Sequence, residues 1–304
     1  MNREEFTESI MESIREQLPE GYSMDVVKTT KNNDISKTGV VIKSEASNLA
    51  PTVYLEDLYH DYENGKSIDE IRNFVINVAT HEHVQLDADN LLSRENILDK
   101  VVFKMRNSEI NKTYLENVPV KAIDGMDDIV LVPYISVDIG GIEGKGAFVV
   151  QEQIINSAGI TKDELFDAAT RNSENIPVHI KRMSELFGGM FGDEFQEQDE
   201  AMFVAMDENF SGVSPLASRD FYEKVEEKTG TDRFIILPSS INELIIVKKD
   251  MIHDNDFLLG MVRDVNNSMV RESEILGYNI YEYDQGRVQT YVAESSMERY
   301  SEME

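Results

Sequence analysis

Residues 233–247 read RFIILPSSINELIIV and contain two unbroken apolar runs, 234–237 and 244–247, separated by a polar stretch. A strand with one face in water alternates apolar and polar residues, whereas a strand covered on both faces is apolar throughout. The proline, serines and asparagine between the runs favour a turn. The stretch therefore predicts two neighbouring strands at the centre of a sheet.

Strands and helices are also predicted on both sides of this stretch. We expect a strand at 201–206, helices at 219–228 and 256–271, and a hairpin at 278–292. Together these elements predict a C-terminal α+β domain over residues 200–293. The polar residues 294–304 are expected to form a frayed tail.

The N-terminal part of the chain has its own helices and strands. An apolar residue recurs every four positions from Phe6 to Leu18, which is typical of an amphipathic helix. Residues 23–43 alternate on both sides of a polar turn and predict a hairpin, and residues 128–137 predict a further strand. Capping boxes at Ser67–Glu70 and Thr161–Glu164 predict the starts of two helices.

A change of composition predicts the domain boundary. From Met183 to Ser218 the chain has no lysine or arginine, and glycines and acidic residues accumulate before residue 200. Such a change is typical of a linker between domains. We therefore predict an α+β fold in two lobes, with mixed or antiparallel sheets and flanking helices. The N-terminal domain would comprise residues 1–190, with an acidic linker at about 183–200.

The charge and the cysteine content restrict the function. The chain has 29 basic and 58 acidic side chains, a formal net charge of −29, and no cysteine. The negative field disfavours nucleic acids and anionic membranes. It favours a basic protein partner, or it serves solubility alone, since the acidic residues are scattered along the chain. The lack of cysteine excludes disulfides, thiolate catalysis and cysteine-ligated metals. With no signal peptide or long apolar run in the sequence, we expect a cytoplasmic protein.

Two further features were considered as metal or cofactor sites. His81 and His83 would share one face of a strand and so could ligate a metal, but on a helix their side chains would diverge. Because the segment follows a predicted helix, we expect surface histidines there rather than a metal site. The glycine-rich residues 140–146 lack the spacing of a phosphate-binding loop. We therefore expect no cofactor.

The turn at 237–243 is the candidate for catalysis, because it places Ser239, Ser240, Asn242 and Glu243 between the two most apolar runs. A nucleophilic serine needs a base within hydrogen-bonding distance, and no G-x-S-x-G sequence surrounds these serines. Since serine and asparagine also form turns for structural reasons, the turn favours structure over catalysis.

Several segments resemble, in the same order, those of one uncharacterised bacterial family. They are residues 28–71, 115–137 (LENVPVKAIDGMDDIVLVPYISV), 160–177 (ITKDELFDAATRNSENIP), 233–247 and 261–267 (MVRDVNN). The chain therefore resembles the family known as domain of unknown function 5688 over most of its length. This resemblance implies no activity, cofactor or catalytic residue. Members commonly have histidine where this chain has Asn242, which disfavours an imidazole base in the turn.

Three functions remain open from the sequence. The leading hypothesis is a non-enzymatic cytosolic protein whose acidic surface binds a basic partner protein. The first alternative is a hydrolase-like enzyme with a polar pocket at the 237–243 turn. The second is an acidic nucleic-acid mimic that inhibits a nucleic-acid-binding protein, which requires rows of carboxylates at phosphate spacing. The sequence does not predict the oligomeric state.

Overall fold

The computed structural model describes residues 1–44, 50, 52–80, 87–138, 145–187, 201–207, 214–252 and 254–293. These residues form an α+β fold with antiparallel sheets, as predicted. The chain divides into two compact units, one of residues Met1–Leu92 with Val137–Gly146 and the other of Ser93–Ser136 with Ala147–Glu304. In the described ranges, no helix is long and apolar enough to span a bilayer.

The first unit combines helices with a three-stranded sheet in the order β1-β2-β3. Its elements are α1 (Arg3–Gln17), β1 (Tyr22–Thr30), β2 (Ser36–Ser44), β3 (Thr52–Tyr54), α2 (Leu55–Glu63), α3 (Ile68–Thr80) and α4 (Ala88–Leu91). The predicted hairpin is confirmed as β1 and β2, with positive φ at Asn33 and Asp34 in the turn.

The core of the first unit explains the helical periodicity of the N-terminus. The α1 side chains Phe6, Ile10 and Ile14 are buried together with Val40 of β2 and Val75 of α3. A capping box fixes the start of α1, because the Asn2 side chain accepts from the Glu5 backbone and the Glu5 side chain accepts from the Asn2 backbone. The amphipathic pattern therefore reflects burial of one side of α1 in a core that α2, α3 and the sheet share.

The second unit begins with helices and strands around a four-stranded sheet. These are α5 (Arg94–Lys100), β4 (Val101–Asn107), β5 (Lys121–Ile123), β6 (Met126–Asp138), β7 (Lys145–Val149), α6 (Glu152–Ser157) and α7 (Lys162–Glu174). The strand order is β4-β6-β5, and β7 also pairs with β6. Helix α7 packs on β4, where Phe103 and Phe166 lie 5.8 Å apart between ring centroids.

The rest of the second unit consists of a six-stranded sheet and the helices between its strands. Its elements are β8 (Val178–Arg182), α8 (Met183–Phe187), β9 (Met202–Asp207), α9 (Phe221–Thr229), β10 (Arg233–Ser240), β11 (Glu243–Lys248), α10 (Asn255–Ser268), β12 (Tyr281–Asp284) and β13 (Arg287–Thr290). The order is β13-β12-β10-β11-β9-β8, so residues 233–247 form the two central strands, as predicted. Ile235 and Leu237 lie under α10, whereas Phe234 stacks on Tyr283 from the other face.

The compact units divide after Leu92, and the stretch without basic residues belongs to the second unit. Residues 188–200 of that stretch lie between β8 and β9 in the sequence, and these strands are neighbours in one antiparallel sheet. The strands before and after residues 188–200 therefore share one sheet. Residues 188–200 and the tail 294–304 lie outside the described residues, so a linker and a frayed tail there stay predictions.

Candidate functional site

Helix α10 is apolar on two sides. One side buries Leu258, Leu259 and Val262 against the central strands. The helix begins at Asp254, whose Oδ1 accepts from the Phe257 backbone nitrogen at 3.0 Å, and this cap fixes the rotation of the first turn. Because the inner side is fixed by burial, the other apolar residues of α10 must lie elsewhere on its surface.

The α10 stripe consists of the exposed residues Phe257, Val265 and Met269 with Met251 before the helix, whereas Met261 between them is partly buried against the core. Phe257, Val265 and Met269 are separated by eight and four positions, and positions four apart are neighbours on a helix surface. Phe257 is 67% exposed, Val265 40% and Met269 80%. Single exposed apolar side chains are normal, but an exposed row marks an interaction surface.

Acidic residues lie beside the α10 stripe. Asp254, Asp256 and Asp264 are exposed, and Arg263 is the basic residue within the helix. The Asp256 Oδ1 accepts from the Tyr291 hydroxyl at 3.0 Å, which connects the first turn of α10 to the residues after β13. An apolar row with acidic neighbours is complementary to a partner that is both apolar and basic.

A polar cavity of about 600 Å³ lies near the N-terminus of α10. Its lining includes Arg233, Lys249, Glu282, Asp284, Arg287 and Gln289. The Lys249 ammonium connects the cavity to α10, because it donates to Oδ1 of Asn255, the first helical residue, at 2.9 Å. A volume of this size lies within the range of about 300–1,000 Å³ typical of small-molecule sites.

Glu282 is the centre of the hydrogen bonds in this cavity. Its carboxylate accepts from the Lys249 ammonium, from Asn255 Nδ2 at 2.6 Å and from Gln289 Nε2 at 3.2 Å. Burial alone would raise the pKa of Glu282, but these donated hydrogen bonds outweigh burial and lower it. Glu282 is therefore ionised at neutral pH, and its charge is balanced by Lys249.

A buried polar network joins the two sheets of the second unit. The Tyr281 hydroxyl donates to Asp128 Oδ1 at 2.6 Å, and Asn107 Nδ2 donates to Asp128 Oδ2 at 2.8 Å. Asp128 is 6% exposed. A second link lies at the β5–β6 turn, where a Cβ at Gly125 would come within 1.9 Å of the Val288 carbonyl oxygen. These contacts are enclosed, so we assign them to structure rather than to binding.

The raised pKa of Tyr281 predicts a loss of folding stability at alkaline pH. Burial and the nearby Asp128 charge raise its pKa, and burial with Glu226 raises the pKa of Tyr283 to about 12. Folded-state pKa values above the unfolded value of about 10 contribute stability below pH 10, which is lost as the pH rises further. We expect the urea concentration at the midpoint of unfolding to decrease as the pH is raised above about 10.

The Tyr281→Phe variant tests this origin of the pH dependence. Phenylalanine cannot ionise, so the variant should be less stable at pH 7 but lose less of its remaining stability by pH 11. An equally steep alkaline loss in parent and variant would assign the effect to other groups.

Another buried polar group lies on the four-stranded sheet. The Arg106 guanidinium donates to the Met105 carbonyl at 2.6 Å and to the Tyr134 hydroxyl at 3.0 Å. Burial, followed by the Arg106 charge, lowers the pKa of neighbouring Lys104. Tyr134 also lies 2.5 Å from the Tyr114 hydroxyl. Among the described residues, Arg106 Nε is buried without a hydrogen-bond acceptor.

The predicted turn residues lie together, but in a closed hydrogen-bonded turn. Ser239 Oγ donates to Glu243 Oε1 at 3.1 Å, and the Asn242 backbone nitrogen donates to Ser240 Oγ at 3.1 Å. The Ile241 nitrogen donates to the Glu274 carbonyl at 3.0 Å. The residues that line the 600 Å³ cavity are different ones.

His81 and His83 lie outside the described residues, so their behaviour towards metals stays a prediction. Within the part of the chain that the structure describes, no three histidine, aspartate or glutamate side chains are grouped so that they could hold a metal ion.

The comparison with protein families shows to which family the chain belongs. The model of a family of unknown function, DUF5688, matches residues 3–285. The chain belongs to the DUF5688 family. The resemblance found in the sequence is therefore confirmed. Searches of curated proteins and of solved structures returned no match.

In this DUF5688 chain, sequence reasoning located helix α10 but missed its exposed stripe. Phe257 and Val265 are as apolar as the buried Leu258, Leu259 and Val262, so the pattern does not distinguish the exposed side from the buried side. The cavity was missed because its lining residues come from three strands and a turn. One indication was present in the sequence. Large apolar residues recur every four positions at 257, 261, 265 and 269, and acidic residues lie nearby at 254, 256 and 264.

Proposed function

We propose that this protein is a non-enzymatic binding protein that docks a basic, amphipathic helix of a partner protein on the α10 stripe. The observation that carries the proposal is the exposure of three apolar side chains, Phe257, Val265 and Met269, at positions separated by multiples of four. Helix-in-groove recognition uses anchors at this spacing on an amphipathic helix.

The shape of the stripe supports a helical partner. Residues 257–269 extend for roughly 18 Å at a helical rise of 1.5 Å per residue. A straight row of this length fits the apolar side of another helix in about three turns. Phenylalanine and methionine suit such a contact, because aromatic anchors dominate interfaces and methionine adapts its shape.

The charge of the surface supports a basic partner. The exposed carboxylates of Asp254, Asp256 and Asp264 lie beside the stripe, and the whole chain has a net charge of −29. Lysine and arginine flanking the partner's apolar side would meet these carboxylates, while acidic partners would be repelled. The attraction acts over about 8 Å at physiological salt and weakens as salt rises.

Binding of a model peptide tests the proposal. The probe is a fluorescein-labelled amphipathic peptide of leucine and lysine, followed by anisotropy. Burying a phenylalanine contributes about 1.5–3 kcal/mol, and 1.4 kcal/mol corresponds to tenfold in affinity. We therefore expect Phe257→Ser and Met269→Ser each to weaken binding, about tenfold or more for Phe257→Ser.

Matched controls distinguish binding at the α10 stripe from non-specific hydrophobic binding. Phe74 of α3 is also exposed, at 52%, and Phe74→Ser should leave the affinity unchanged. A peptide with glutamine in place of lysine should bind more weakly, and its binding should respond less to salt. Equal losses in Phe74→Ser and Phe257→Ser, or equal affinity for the two peptides, would refute the proposal.

The Ser239–Glu243 hydrogen bond is the observation that favours a hydrolase as an alternative, since a carboxylate can accept a serine proton. Hydrolysis of a p-nitrophenyl ester that disappears in Ser239→Ala would support that alternative. We expect no such loss, because the polar groups of this turn already hydrogen-bond to one another and stabilise the turn.

A further inference from the structure

We infer that the 600 Å³ cavity is a binding site for a small molecule with a carboxylate or phosphate group, held by Arg233, Lys249 and Arg287. The inference is independent of the α10 stripe, because it rests on different side chains.

The sheet register brings the charged groups together. Asp284 of β12 pairs with Arg233 of β10 on one side and with Arg287 of β13 on the other. Directly paired residues of antiparallel strands point to the same face. Because neighbouring strands lie about 4.8 Å apart, the two arginines flank one carboxylate in a single row.

The next row on the same face contains Glu282 and Gln289. These two residues pair with each other, two positions from Asp284 and Arg287 respectively. Since strand side chains alternate, the two rows point to the same side. The arginine row therefore adjoins the Lys249–Glu282 ion pair, and the cavity is built on strands β10, β12 and β13.

The unused hydrogen-bonding capacity in this cavity consists mainly of donors. Arg287 has five N–H donors, and in the described part of the chain its side chain has no ion pair or hydrogen bond. Arg233 has a long contact of 3.5 Å from Nε to Asp284, which leaves the end of its guanidinium available. Glu282 is already satisfied by three donors. A ligand that binds the two arginines must therefore supply acceptors.

The net charge of the cavity lining is positive, which also favours an anionic ligand. Arg233, Lys249 and Arg287 contribute three positive charges, and Glu282 and Asp284 contribute two negative charges. Guanidinium groups bind carboxylates and phosphates through two parallel hydrogen bonds. Asp284 lies between the arginines, so it occupies the position of a ligand anion and competes with it.

The test is isothermal titration calorimetry with inorganic phosphate and, separately, citrate, at an ionic strength held constant with sodium chloride. We expect saturable binding of at least one of them. Arg287→Ala should weaken it about tenfold or more, because one charge-assisted contact is lost. Asp284→Asn should strengthen it several-fold, because the competing carboxylate is removed. A preference between phosphate and citrate identifies the ligand group.

Arg271→Ala is the matched control, since Arg271 is 83% exposed on its side chain and does not line the cavity. It removes the same charge and should leave the affinity unchanged. The inference is overturned if neither anion saturates the parent protein, if Arg271→Ala weakens binding as much as Arg287→Ala, or if Asp284→Asn weakens it. Thermal melting of each variant confirms that these exposed substitutions leave the fold intact.

Discussion

The Ile246→Ala variant is expected to melt far below the parent protein. Ile246 is fully buried in β11 and pairs with Ile236 on one side and Phe203 on the other. Truncating a buried isoleucine costs about 2–5 kcal/mol, compared with about 5–15 kcal/mol for a whole domain. At roughly 2–4 °C per kcal/mol for a unit of this size, the melting temperature should fall by roughly 4–20 °C.

Two matched variants show that this effect belongs to the centre of the sheet. Met269→Ala removes a side chain that is mostly exposed and should hardly change the melting temperature. Ser239→Ala removes one hydroxyl from the turn next to the same strands and should cost about 0.5–1.5 kcal/mol. Calorimetry measures all three. If Ile246→Ala melted like Met269→Ala, the placement of the sheet centre would be wrong.

Asp128→Ala is expected to have the second large effect. The variant leaves the Tyr281 hydroxyl and the Asn107 amide buried without their acceptor. An unsatisfied buried group costs about 1–3 kcal/mol, so the loss should be roughly 2–6 kcal/mol. Denaturant unfolding followed by circular dichroism provides the free energy of unfolding.

A double-mutant cycle distinguishes the hydrogen bond from simple loss of packing. Tyr281→Phe keeps the ring and removes the hydroxyl, and it should cost about 1.5–3 kcal/mol because the acceptor is charged. Combined with Asp128→Ala, it should cost less than the sum of the two single variants, since both remove the same bond. Additive losses would show that the Tyr281 hydroxyl and the Asp128 carboxylate act independently.

The parts of the fold that follow from local chemistry were predicted from the sequence. The apolar runs in 233–247 predicted the central strands, because burial on both faces leaves a pattern within each strand. The capping boxes at Ser67 and Thr161 likewise marked real helix starts, because the capping groups lie three residues apart. In both cases the interacting or patterned residues are close in the sequence.

Features that depend on distant residues could not be predicted. The division at Leu92 depends on which parts of the chain pack together, whereas the composition change after Arg182 reflects charge alone. The exposed side of α10 depends on which side the sheet covers, and both sides are apolar. The cavity requires the register of β10, β12 and β13, which aligns Arg233, Asp284 and Arg287.

The link between Asp128 and Tyr281 also has a consequence for the order in which the chain is made. The two residues are 153 positions apart. At a synthesis rate of about 5–20 residues per second, Asp128 precedes its partner by roughly 8–30 s. During that time β6 can pair with β4, but the network that joins the sheets cannot close. A chain terminated before Tyr281 would keep the Asp128 carboxylate without this donor, and it would be a substrate for chaperones and proteases.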